Sequence, residues 1–135
     1  NRDGLDIALL NIDPKRRRLT YAGANRPCLI VRAQEIIELR PDKMSIGGEA
    51  HDGAFSAQHF DLQDGDTLYI FTDGYPDQIG EEINKRFQSR RFQQLLLEYQ
   101  ANDMDHQRLL LDAELRHWRG DQEQTDDILV IGIRF

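Results

Sequence analysis

Residues 69–78 read Tyr69-Ile70-Phe71-Thr72-Asp73-Gly74-Tyr75-Pro76-Asp77-Gln78. An apolar, β-favouring run ends in a carboxylate, and a glycine follows at once. Thr67 to Thr72 reads as a strand that delivers Asp73 at its C-terminal end. Gly74 lets the backbone turn sharply and leaves space beside the carboxylate. A carboxylate on a rigid strand end suits a hard divalent cation, because Mg²⁺ and Mn²⁺ take oxygen donors and keep several waters.

A second carboxylate pair lies near the C-terminus, in Gln124-Thr125-Asp126-Asp127-Ile128-Leu129-Val130-Ile131. Ile128 to Ile133 is rich in β-branched residues and reads as the closing strand. If it runs antiparallel beside Tyr69–Thr72, Asp73 and Asp126 meet at one sheet edge. Two carboxylates that close repel unless a cation sits between them, and this is the physical reason to infer a metal. Strand geometry turns Asp127 toward the other face, where it supports a ligand at most. Each motif alone reads more readily as a common turn or a solvated strand edge; together, each at the correct strand end, they bring the metal reading level with that one.

Outward from these motifs the chain is a run of strands, then helices, then the last strand. Leu5–Ile12, Leu19–Ala24, Pro27–Arg32, Glu35–Leu39 and Phe55–Leu62 have strand character. Asp13-Pro14, Ala33-Gln34 and Gln63-Asp64-Gly65-Asp66 read as turns, and Pro41 to Gly53 as a loop. Phe92, Leu95, Leu96 and Tyr99 recur at helical spacing behind a Ser89 cap. A second helix starts at Asn102 or Asp103, lines Met104, Leu111, Leu115 and Trp118 on one side, and stops at Gly120. Strand runs with segregated helices predict an α+β fold with antiparallel sheets.

The chain has 135 residues, a length that fits one domain, with 39% hydrophobic and 30% charged residues. No apolar run approaches the roughly 18 residues of a membrane span. The net charge of −7 argues against a nucleic-acid partner. Lys15-Arg16-Arg17-Arg18 reads as a solvated turn. The single cysteine, Cys28, sits in an apolar run and reads as a buried structural thiol in a reducing cytoplasm. His51, His59, His106 and His117 lack zinc-ligand spacing, and Trp118 reads as core.

Several stretches resemble, in order, the stage-II-sporulation-E-like branch of the PPM metal-dependent protein phosphatases. These are Asp3-Gly4-Leu5-Asp6-Ile7-Ala8, Tyr21-Ala22-Gly23-Ala24-Asn25-Arg26-Pro27, Gly65 to Tyr75 followed by Asp77-Gln78 and Gly80, and Gln124 to Ile128. The resemblance implies a layered α/β/β/α fold, two antiparallel sheets flanked by helices. It implies a two-metal Mn²⁺ or Mg²⁺ site, with Asp73 and Asp126 as ligands, that activates water to attack phosphoserine or phosphothreonine. It implies a phosphorylated regulatory protein of the anti-sigma-factor-antagonist type as substrate. It also implies an upstream sensor domain, through which the parent protein could be membrane-anchored. Asn25 lies in a matching segment and reads as a turn residue.

Family members begin with further strands and an aspartate-bearing, glycine-rich segment that supplies the remaining metal ligands. Residues 1–135 are therefore expected to form a partial phosphatase domain, N-terminal elements missing, with little activity alone and with open sheet edges that invite self-association. The alternative is a non-catalytic pseudophosphatase or docking module. A haloacid-dehalogenase-like enzyme would want an aspartate at position 71, where Phe71 stands. A response-regulator receiver would need a parallel sheet.

Overall fold

The computed structural model describes residues 4–47 and 53–135. Their elements run β1 (Gly4–Leu5), β2 (Ile7–Asp13), β3 (Arg18–Ala24), β4 (Cys28–Arg32), β5 (Glu35–Leu39), β6 (Ile46–Gly47), β7 (Gln58–Asp61) and β8 (Thr67–Phe71). There follow α1 (Gly74–Asp77), α2 (Ser89–Glu98), a 3-10 turn at Tyr99–Ala101, α3 (Met104–Arg119) and β9 (Val130–Arg134).

Short turns force successive strands to lie antiparallel, and every ladder here is antiparallel. Asp13 closes the first hairpin, accepting at Oδ1 from the N–H groups of Lys15 and Arg16, both at 3.1 Å. The basic run around it is an exposed turn. The strands make a three-stranded sheet, β2-β3-β7, a four-stranded sheet, β5-β4-β8-β9, and the ribbon β1-β6.

Pleat alternation assigns each strand face to a core. Leu19 and Tyr21 of β3 meet Cys28 and Ile30 of β4 and Leu68 of β8 between the two sheets. The other faces of β4 and β8 carry Leu29, Val31 and Tyr69, which pack beneath Phe92, Leu95 and Leu96 of α2 and Leu111 of α3. β4 is buried on both sides, which explains its unbroken apolar run. Burial pushes the Cys28 thiol up to about 12, so it stays a neutral packing group. Trp118 joins the helical layer. Its Nε1–H donates to the Gln78 carbonyl at 2.8 Å, its ring meets Phe87 edge-on at 5.4 Å, and Arg91 lies 4.5 Å over it.

The described residues thus form an α+β stack of three layers, helices on the four-stranded sheet on the three-stranded sheet. They build no helical layer on the outer face of the three-stranded sheet, where Leu9 is exposed. β2 and β9 are outer strands of their sheets.

Local details depart from the sequence expectations. Ser89 is the first helical residue and does not cap α2; Gln88 stands at the cap with φ 82° and no side-chain bond. Asp103 does cap α3, accepting from the His106 N–H at 2.8 Å. The expected loop 41–53 contains β6, paired with β1. The strand expected from Phe55 is confined to β7. His51 and Asp3 lie outside the described residues. His59 is exposed on β7 and hydrogen-bonds Thr20.

The Gln63–Asp66 turn is tied down from within. Asp66 is 1% exposed; it accepts from the Gln63 N–H at 2.8 Å and from both arms of the Arg32 fork, at 2.9 and 2.7 Å. Burial works to raise the Asp66 pKa, yet Arg32 and the Gln63 N–H more than offset it and hold the carboxyl below its usual range.

Candidate metal centre

β8 and β9 pair with Phe71 opposite Val130, and the register continues beyond the strands. The Thr72 N–H donates to the Leu129 carbonyl at 3.0 Å, and the Thr72 hydroxyl donates to the Asp127 carbonyl at 2.8 Å. Asp73-Gly74 therefore lies beside Asp127-Ile128. The approach is so close that a Cβ on Gly74 would stand 2.2 Å from the Asp127 carbonyl oxygen and 2.7 Å from Ile128 Cγ1. The glycine is required here by space.

The expected antiparallel pairing thus brings the Asp73 and Asp126–Asp127 segments to one end of the four-stranded sheet. The aspartate pair lies ahead of the strand rather than at its first residue, because regular pairing resumes only at Val130. Asp126 is exposed, and its Oδ1 accepts from the Asp127 N–H at 2.7 Å. Tyr75 and Pro76, just beyond Asp73, are buried in the short α1, whose Tyr75 hydroxyl donates to the Leu111 carbonyl at 2.7 Å. That anchor fixes the chain direction after Asp73.

The side chain that meets Asp73 comes from the link between the two sheets. Tyr21-Ala22-Gly23-Ala24-Asn25-Arg26-Pro27 leaves β3 in one sheet and enters β4 in the other. Tyr21 reaches back under Gly23 to donate its hydroxyl to the Arg26 carbonyl at 2.6 Å. Any Cβ on Gly23 would collide with that hydroxyl at 2.0 Å. Asn25 adopts φ 57°, a conformation asparagine tolerates better than most residues. Pro27 keeps Arg26 extended.

So aimed, Arg26 grips both carboxylate oxygens of Asp73, with Nη2 to Oδ2 at 2.7 Å. Behind the pair, Asp6 accepts from the Ser45 hydroxyl at 2.5 Å and from the Asn25 amide at 3.0 Å. These two bonds, with a smaller contribution from Arg26, hold the Asp6 carboxyl below its usual range. Asn25 is a turn residue as expected, and its amide also ties down Asp6. Arg26, Asp6 and Ser45 carried no role in the sequence reading. The matching segment containing Arg26 was the available signal, but its partner lies 47 positions away.

Among the described residues no group of three or more His, Cys, Asp or Glu side chains converges on a metal position. What is present fits a hydrated hard cation held by one or two carboxylates. Asp73 is half-exposed at a rigid strand end and already carries a cation, the Arg26 guanidinium, on its oxygens.

The family model for stage II sporulation protein E (SpoIIE) matches residues 3–135. Among solved structures, the chain is similar to the SiaA-PP2C domain of Pseudomonas aeruginosa, at 33% identity and a TM-score of 0.89, over 96% of this chain and 51% of that one. It is similar in fold to the phosphatase domain of SpoIIE from Bacillus subtilis (Mn presoaked), at 18% identity, a TM-score of 0.72, and 96% and 55% coverage. The RsbU and RsbW domains of Rv1364c from Mycobacterium tuberculosis match at 18% identity and a TM-score of 0.74, over 96% of this chain and 35% of that one. The chain spans about half the length of the SiaA and SpoIIE phosphatase domains it matches. The comparison with curated proteins finds no match.

Proposed function

Because the chain belongs to the SpoIIE family and has the PP2C phosphatase fold, we propose that it is part of a metal-dependent phosphatase domain for phosphoserine or phosphothreonine. The observation that carries this reading is the register that brings Asp73 beside the Asp126–Asp127 segment at one sheet end. In this reading Asp73 and Asp126 hold Mn²⁺ or Mg²⁺. The metal, when bound, supplies an acidified water for attack on phosphorus. The chain's own contributions are positional. Thr72 and Gly74 fix the spacing of the two aspartate segments, and the Tyr75 anchor holds the Asp73 turn against the helical layer.

The substrate we propose is a phosphorylated bacterial regulatory protein of the anti-sigma-antagonist type. The similarity to a structure that holds RsbU and RsbW domains supports a regulatory setting. An upstream sensor domain and a cytoplasmic catalytic region complete the reading. No helix among the described residues is long and apolar enough to cross a membrane. We further propose that residues 1–135 form a partial domain with little activity by itself.

The test is Mn²⁺-dependent hydrolysis of p-nitrophenyl phosphate by the full product of the gene, by its Asp73→Asn variant and by this 135-residue chain. Turnover that Asp73→Asn abolishes, with the short chain silent, is the expected result. An inert full product at every Mn²⁺ concentration would overturn the enzymatic reading in favour of a non-catalytic docking module.

A further inference from the structure

The guanidinium of Arg26 occupies the carboxylate that the metal needs. Both Asp73 oxygens are engaged by its fork. The Arg26 side chain is 16% exposed and the Asp73 side chain 51%, so the arginine comes from inside and the carboxylate remains reachable from solvent. The arginine is not perfectly satisfied there. Its Nε is buried and finds no acceptor among the described residues.

Carboxylates outnumber cations at this point. Asp73 pairs with Arg26 directly, Asp6 and Asp77 also act on that guanidinium, and Asp77 has Arg86 at 3.9 Å on its other side. Two arginines against three carboxylates leave negative charge over, which a divalent ion would neutralise better. There is also room for the arginine to withdraw. A recess of about 200 Å³ opens between the two sheets, lined by Asp6, Ala8, Arg26, Ile70, Phe71 and Thr72 among others. Asp6 lines it, with its carboxylate pinned by Ser45 and Asn25.

We propose that Arg26 is a built-in competitor for the divalent cation at Asp73, and that metal loading moves its guanidinium from Asp73 to Asp6. This rests on the assignment of Asp73 as a metal ligand. Arg26 then sets the metal affinity of the site without itself touching the metal. In the metal-free protein it shields Asp73 from electrostatic repulsion, and in the loaded one Asp6 receives it. A positioning role of this kind predicts opposite effects for two neighbouring substitutions. Removing the competitor tightens metal binding, and removing its alternative seat weakens it.

The experiment is Mn²⁺ binding, followed by the electron paramagnetic resonance signal of the free ion, in the full product of the gene and in its Arg26→Met, Arg26→Lys, Asp6→Asn and Asp73→Asn variants. Circular dichroism checks that each variant is folded. Arg26→Met is expected to tighten binding roughly three- to tenfold, the range expected for losing a part-exposed, charge-assisted pair. Arg26→Lys, which keeps the charge but loses the two-point grip, is expected to fall between Arg26→Met and wild type. It also serves as the test variant if the methionine protein fails to fold. Asp6→Asn is expected to weaken binding. Unchanged or weaker binding in both Arg26 variants, with Asp73→Asn still abolishing it, overturns the competition and leaves Asp73 as a ligand. Asp73→Asn binding as wild type does, or no binding in any protein, removes the metal assignment itself and the competition with it.

Discussion

Gly74 lies against the backbone of Asp127, with 2.2 Å between the position of a residue-74 Cβ and the Asp127 carbonyl oxygen. The two aspartate motifs are therefore locked at a fixed spacing by backbone contact, not by their side chains. Gly74→Ala is expected to cost about 1–3 kcal/mol, the usual range for overpacking, and to push the Asp126–Asp127 segment outward. Urea denaturation followed by circular dichroism reads the first effect, and Mn²⁺ titration the second. A variant as stable as wild type would mean that the closing segment shifts aside at no cost.

Asp66 links stability to pH. Its folded-state pKa lies below the ordinary 3.8. On acidification the unfolded chain takes up this proton first, so the contribution is present above pH 3.8 and is lost as pH falls through the lower, folded value. Asp66→Asn should flatten that limb of the stability–pH curve and, by leaving Arg32 without its partner, cost about 3 kcal/mol at neutral pH. Urea midpoints collected from pH 3 to 7 test both statements.

The two long helices differ in how they begin. Asp103→Ala removes the bond to the His106 N–H and should cost about 1 kcal/mol. Ser89→Ala removes no cap and should stay within about 0.5 kcal/mol of wild type. Equal losses in the two variants, measured by thermal or urea unfolding, would contradict this assignment.

β9 is the outer strand of its sheet; it exposes Ile131, at 40%, and Leu129 just ahead of it is 53% exposed. An unpaired apolar edge of this kind templates pairing with another chain. Concentration-dependent association of the 135-residue chain is expected in light scattering, and Ile131→Lys should suppress it. A monomer at all concentrations would show that the edge is already blunted.

The sequence made the sheet framework readable because strand period, turn residues and apolar runs agree there. β2, β3, β4, β5 and β8 lie where alternation and turns put them, and the antiparallel pairing of β8 with β9, only a supposition from the sequence, is present. Ser89 misled because serine before an apolar helical face is a common cap, and here the tertiary path through Gln88 overrides it. β6 was invisible because two residues carry no periodicity. The Arg26–Asp73 pair could not be read at all. It depends on the sheet crossing at Asn25, on Tyr21 threading under Gly23, and on a partner 47 residues away. Local pattern reports the strand that presents a carboxylate. What faces that carboxylate is decided by topology.

Trp118 is the chain's single tryptophan, and it is wedged between Gly80, Phe87 and Arg91 on the helical side of the four-stranded sheet. The core between the sheets contains tyrosine but no indole. Intrinsic fluorescence excited at the indole therefore watches one core only. Detachment of the helices would dim or red-shift it while backbone ellipticity from the sheets persisted. Coincident transitions would instead show that the two cores melt as one cooperative unit.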